Sequence, residues 1–111
     1  MKIPISEFRK KLPLPATDAW PDGVWDIEAF SHGTMSVVLF APQGRDYQTS
    51  HKQDELYVVL QGSGTLVVEE ARHEFSEGDV LFVPAEKRHH FEDFTTDLVT
   101  WGIFWGPVGG E

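Results

Sequence analysis

No cysteine occurs among the 111 residues. Disulfide scaffolds, thiolate zinc sites and cysteine nucleophiles are excluded together, and any metal must sit on His, Asp or Glu. Basic residues are scarce: nine Lys and Arg against eighteen Asp and Glu leave a formal charge of −9. A broad phosphate-binding face is not expected, so nucleic acid and anionic membrane surfaces are poor partners. Long hydrophobic runs are missing as well. Met1-Lys2-Ile3-Pro4-Ile5 leads into no apolar stretch, and no run approaches the roughly eighteen residues of a membrane helix. A soluble, cytoplasmic protein is the expectation. What is present suits one globular domain: apolar residues make up 41%, and the ten glycines bring the total near half, which excludes whole-chain disorder.

Residues 1–22 hold four of the seven prolines and one short charged stretch, Ser6 to Lys11, with room for little more than a helical turn. This segment reads as an N-terminal arm, and residues 23–111 as the domain proper. From Gly23 the chain breaks into short runs rich in Val, Phe, Thr, Trp and Tyr, spaced as in an antiparallel sandwich or barrel. Strands are expected near 23–30, 33–41, 47–51, 55–61, 64–69, 72–75, 79–83, 88–93 and 98–105. Gln61-Gly62-Ser63-Gly64 and Glu77-Gly78-Asp79 are the clearest turns. Several runs do not alternate: Val37 to Phe40, Leu56 to Leu60, Leu66 to Val68 and Val80 to Val83. A strand with one wet face would alternate, so both faces of these strands are expected to be covered. The arm, the C-terminal strand with Trp101, Phe104 and Trp105, or a second subunit would do this, and a homodimer is the economical reading.

Two stretches carry side chains suited to chemistry. His51 and Glu55 are four apart, just before an apolar β-type run that ends at Gly62. On a helix that spacing would bring them within a turn of each other. On a continuous strand they would lie about 13 Å apart, at about 3.3 Å per residue, too far to share an ion. The run that follows favours strand, so a shared site needs Lys52-Gln53-Asp54 to be a bend. Downstream, Gly78 turns the chain, Asp79 to Val83 cross the core, Pro84 ends the crossing, and His89 re-enters five residues later.

This arrangement resembles the cupin superfamily, small all-β barrels of jelly-roll topology (a double-stranded β-helix, as in RmlC-like cupins). The family's first motif is glycine, a His-x-His pair, three or four residues, glutamate, six residues and glycine. Here stand Gly44, Thr49-Ser50-His51, three residues, Glu55, six residues and Gly62. The second is glycine, five residues, Pro-x-Gly, two residues, histidine, three residues and asparagine. Here stand Gly78, five residues, Pro84-Ala85-Glu86, two residues, His89, three residues and Asp93. Thr49 takes the place of the first histidine, Gly44 lies one residue closer than usual, Glu86 replaces the turn glycine and Asp93 the asparagine.

The resemblance implies a metal site reduced to His51, Glu55 and His89. Two imidazoles and a carboxylate suit one divalent transition metal, whether Fe, Mn, Ni or Zn. A water or Gln53 would complete the sphere. Thr49, Gln53, Tyr57, Phe91 and Asp93 are the expected pocket residues, with Gln53, Tyr57 and Asp93 as the groups able to move protons. The implied function is a metal-dependent enzyme acting on a small molecule, of dioxygenase or isomerase type. The alternative is a non-catalytic module that binds a metabolite or metal, with His51 and His89 as hydrogen-bonded pocket residues. Glu55 is harder to explain without an ion or donors, because a carboxylate opening an apolar strand is costly to bury alone. His90 should point away from His89 by strand alternation, and His32 and His73 are assigned to solvent.

Overall fold

The computed structural model describes residues 1–111. Its elements, in chain order, are one short helix, α1 (Ile5–Arg9), and eight strands: β1 (Asp26–His32), β2 (Met35–Phe40), β3 (Asp54–Gln61), β4 (Gly64–Val68), β5 (Ala71–Phe75), β6 (Val80–Val83), β7 (His89–Glu92) and β8 (Val99–Trp105). They form a five-stranded sheet, β1-β2-β8-β3-β6, facing a three-stranded sheet, β5-β4-β7, with every pairing antiparallel. No helix is long and apolar enough to cross a membrane.

Between the sheets lies a core of Phe40, Tyr57, Val59, Leu66, Phe75, Val83, Phe91 and Leu98. Phe91 is its hub, with ring centroids 5.0 Å from Tyr57, 5.4 Å from Phe75 and 5.9 Å from Phe40. Gly62, which ends the first motif, sits at φ +90° between β3 and β4, where a Cβ would come within 2.8 Å of the Leu98 backbone. Both the turn and the close approach therefore require glycine there.

The non-alternating strands have a local explanation. Alternation from the inward-facing Tyr57 and Val59 puts Leu56, Val58 and Leu60 on the outer face of the five-stranded sheet. Across part of that face Ile5, Phe8 and Leu12 of the arm pack with Leu60 and Trp101 over Leu39, Ala41 and Val99. The arm thus covers one half of the face. The other half, toward β6, is bare, and Val80 and Phe82 are 57% and 53% exposed.

Two strand expectations change. The first strand begins at Asp26 instead of residue 23, because Gly23 turns at φ +106° and Val24 makes an isolated bridge to Leu14. The expected strand at 47–51 is absent: residues 41–53 form no ladder. Asp46 explains this, since its buried carboxylate accepts the backbone N–H of Gln48 (3.0 Å) and of Phe91 (2.8 Å). An Asx-type contact of this kind takes a donor that a ladder would use and bends the chain locally.

Candidate metal centre

The site lies where the two sheets meet. Glu55 is the second residue of β3, paired with Val83 on β6 and Phe104 on β8, so its carboxylate is carried on a strand held from both sides. His89 opens β7 in the opposite sheet, paired with Val68. The turn that delivers it, Pro84 to Arg88, carries Glu86 at φ +67°, a left-handed conformation at the position where the family motif has glycine. Asp93, in the place of the motif's asparagine, is also left-handed at φ +51°. His51 comes from the irregular segment and is tied to the second motif through its carbonyl, which accepts the Glu86 N–H at 2.6 Å. The bend expected at Lys52 and Gln53 is present, with Asp54 already on β3.

One ligand atom from each of His51, Glu55 and His89 falls within 4.8 Å of the others. Glu55 Oε1 is 3.2 Å from His89 Nε2 and 3.9 Å from His51 Nε2. The side chains of His89 and Glu55 are 1% and 4% exposed, while that of His51 is 35% exposed. The His89 tautomer follows from its other nitrogen: Nδ1–H donates to the Lys87 carbonyl at 2.9 Å, leaving the Nε2 lone pair facing Glu55. Glu55 Oε1 and His89 Nε2 are both fully buried, and neither has a hydrogen-bond partner. Two buried acceptors that face each other without a donor are costly unless a proton or a cation lies between them.

The electrostatics agree with that reading. Burial pushes the Glu55 carboxyl above its ordinary range, with His89 pulling it partly back. Burial opposes a charge on His89 too, but the contact with Glu55 and the Lys87 carbonyl outweigh it and hold the imidazole above its usual value. His51 is pushed down to about 4 by burial and by the neighbouring His89, so it is neutral near pH 7 and available as a ligand. Donors bound at about 2.1 Å to one ion lie about 3.0 to 4.2 Å apart. The two distances from Glu55 fit that range.

A cavity of about 310 Å³ opens on this cluster. His51, Glu55 and Tyr57 line its polar end, Gln48 and Thr49 one side, and Trp20, Phe40, Tyr47 and Phe104 supply aromatic walls. Trp20 stands edge-on to both Phe40 and Tyr47, with centroids at 6.2 and 5.6 Å, so the arm builds part of the cavity as well as covering the sheet. Neither Lys nor Arg lines it, while Asp26 does, its carboxyl raised by burial and by Asp46. Gly102 on β8 leaves the space that the Glu55 carboxylate occupies, since a Cβ there would lie 2.9 Å from Oε2.

The other expected pocket residues divide. Tyr57 lies on the cavity wall, its hydroxyl donating to Gln48 Oε1 at 3.0 Å. Thr49 also lines the cavity, but as an exposed residue of a segment that is not a strand, so the alternation that would aim it inward with His51 does not apply. Phe91 backs the cavity from within the core and does not line it. Gln53 points away: its Nε2 donates to the carbonyls of Thr34 and Gly106, both at 2.9 Å. Asp93 is outside, its side chain 82% exposed and its Oδ2 3.7 Å from Arg72. His90 turns from the site and donates to Glu92 at 2.8 Å, and His32 and His73 are exposed. Sequence reasoning missed Gln48, Asp46 and Asp26. Asp46 offered one signal, an acidic residue inside the first motif, between Gly44 and Thr49, and it is buried.

Comparison with known proteins places the chain in a family. A cupin domain model matches residues 36–101, more than half of the sequence, and the chain belongs to the cupin domain family. It is similar to the uncharacterized protein SCO3923 of Streptomyces coelicolor, 32% identical over 96 residues, covering 85% of this chain and 90% of that one. Among solved structures it resembles the EutQ protein of Clostridium difficile, with a TM-score of 0.67 over 95% of this chain and 80% of that one at 14% identity. It also resembles the DMSP lyase DddQ of Ruegeria pomeroyi, with a TM-score of 0.63 over 73% of this chain and 46% of that one at 18% identity. At these identities the structural likeness speaks for the fold alone.

Proposed function

We propose that this cupin holds one divalent transition metal on His51, Glu55 and His89 and acts on a small molecule bound in the adjoining cavity, as a dioxygenase- or isomerase-type enzyme. The observation that supports the metal reading is the convergence of one ligand atom each from His51, Glu55 and His89 within 4.8 Å, with Glu55 Oε1 and His89 Nε2 buried and facing only each other at 3.2 Å. When bound, such an ion supplies Lewis acidity with open positions for ligands. The chain's own part is to place the aromatic walls against a flat or apolar body, to keep Tyr57 and Asp26 within the same cavity as hydrogen-bonding groups, and to hold Glu55 on a strand paired on both sides. No Lys or Arg lines the wall, so the ion would be the cation that meets an anionic group of a ligand.

Elemental analysis of protein purified without chelator tests the reading, the expected result being one Fe, Mn, Ni or Zn per chain. His51→Ala and His89→Ala should each lower metal content sharply and leave the fold intact, since the core is built by Tyr57, Phe91 and their neighbours. Metal content equal to wild type in both variants would count against these ligands.

We propose further that two copies associate through the bare half of the outer sheet face, where Phe82 and Val80 are exposed. Light scattering should return twice the 12.6 kDa of one chain. A monomer mass at micromolar concentration would refute the assembly.

A further inference from the structure

Thr49 stands where the family's first histidine would be, yet the inward place beside His51 is held by the residue before it. Gln48 Oε1 lies 3.3 Å from His51 Nε2 and accepts the Tyr57 hydroxyl at 3.0 Å. Two donors at about 2.1 Å from one ion are about 3.0 Å apart at a right angle and about 3.4 Å apart at the tetrahedral angle. The separation of Gln48 Oε1 from His51 Nε2 falls between these values.

The amide is not free to turn over. Gln48 Nε2 donates to Asp46 Oδ2. Reversing the amide would set its oxygen against that carboxylate and take away the acceptor of the Tyr57 hydroxyl. Asp46 is itself fixed, buried and accepting the backbone N–H of Phe91 and of Gln48. An amide oxygen has two lone pairs. Tyr57 uses one, and the other faces His51 Nε2, which donates to it when that nitrogen carries the ring proton and would lose that proton on ligating an ion.

We propose that Gln48, oriented by Asp46, is a further oxygen ligand to the metal held by His51, Glu55 and His89. This inference rests on the metal reading of that site. It replaces the imidazole of the family's pattern by a neutral, harder donor, so the centre should favour Mn or Fe over Ni more than a three-histidine set does. Asp46 is a positioning residue: it touches the amide and not the ion.

The test uses Co(II), titrated into the metal-depleted full chain against a competing chelator, with the visible d–d bands recorded. Gln48→Ala should weaken binding about 10-fold or more and shift the bands, since a donor is lost and not merely an outer partner. Gln48→His should tighten binding and shift the bands, whereas Thr49→His should leave both within about twofold of wild type. Bands unchanged in Gln48→Ala would overturn the proposal, because loss of an orienting hydrogen bond alone leaves the donor set intact. Tightening in Thr49→His with none in Gln48→His would overturn it too, by placing residue 49 at the ion. If Gln48→Ala does not fold, the histidine pair decides alone. Absence of Co(II) binding by the wild type overturns the three-ligand reading and this one together, whereas wild-type binding with indifferent Gln48 variants overturns only this one.

Discussion

The two sides of the centre are built in different ways. Glu55 and His89 stand on paired strands, one in each sheet, and their side chains are almost wholly enclosed. His51, Gln48 and Asp46 come from residues 41–53, which have no ladder and are fixed by side-chain contacts and isolated backbone bonds such as that from Glu86 N–H to the His51 carbonyl, with His51 about one-third exposed. Strand-borne groups share the stability of the sheets, whereas a segment held by a few isolated bonds opens at lower cost. The difference assigns separate tasks. On the proposed metal reading, the strand side would set where an ion sits and the loop side what else reaches it.

The largest test of that division is removal of ligands from each side. Glu55→Ala and His89→Ala should abolish metal retention through a desalting column, a loss beyond the about 10- to 100-fold that follows removal of an outer partner. His51→Ala should weaken binding by less, because a water reaches its exposed position more easily. Equal losses measured by chelator competition for all three would break the comparison.

A second test perturbs the strand side without touching a ligand. In Gly102→Ala the new Cβ would lie 2.9 Å from Glu55 Oε2, with Tyr57 behind it at 3.5 Å. Overpacking here should cost about 1–3 kcal/mol and reduce metal affinity by displacing the carboxylate. Thermal denaturation with and without added metal reads both. A variant that keeps wild-type affinity would show that Glu55 can move.

These sites also show what was legible in the sequence. Glu55, His89 and the turns around them follow regular spacing, glycine to proline to histidine, and strand geometry then places them. Glu86 and Asp93 take left-handed conformations where the motif has glycine and asparagine, which is why the spacing survives the substitutions. The loop side was not legible to the same degree. Alternation presumes a ladder, and Asp46 removes the ladder by bonding the Gln48 and Phe91 amides. The inward position therefore falls on Gln48, and Gln53, the nearer amide in sequence, turns to the carbonyls of Thr34 and Gly106. The arm was among the expected covers of the sheet, but its part in the cavity was hidden, since nothing in a proline-rich segment says that Trp20 will form a cavity wall.

The third test is pH, where the two imidazoles shift in opposite directions. His51 is lowered to about 4 in the metal-free fold, so between that value and about 6.5 the unfolded chain binds a proton that the folded chain does not. Stability linked to His51 is therefore present above about 6.5 and lost as pH falls toward 4. His89 is raised, so its contribution is full at low pH and lost as pH climbs through its elevated value. Metal binding adds a third dependence: both rings must be neutral to ligate, and affinity should fall as pH drops through the His89 range. Proton NMR of the metal-free protein should show one ring titrating near 4 and the other above the usual histidine value. A common midpoint for both would erase the contrast between the sides.

The smallest effect expected is at the hinge between them. Glu86 holds φ +67° in the turn that delivers His89, while its N–H donates to the carbonyl of His51. A left-handed conformation costs a non-glycine residue about 1–2 kcal/mol, and glycine loses about 0.4–1 kcal/mol through the greater freedom of the unfolded chain. Relief exceeds that loss by about 0 to 1.6 kcal/mol. Glu86→Gly should thus raise the melting temperature by a few degrees. Metal affinity should stay within about twofold, because the amide that binds His51 is unchanged and no ligand atom is touched. A fall in melting temperature would mean that the Glu86 side chain contributes more than its backbone costs. Raised stability together with weakened metal binding would mean that the tie from residue 86 to His51 depends on the rigidity of the turn, and that the loop side borrows its order from the strand side.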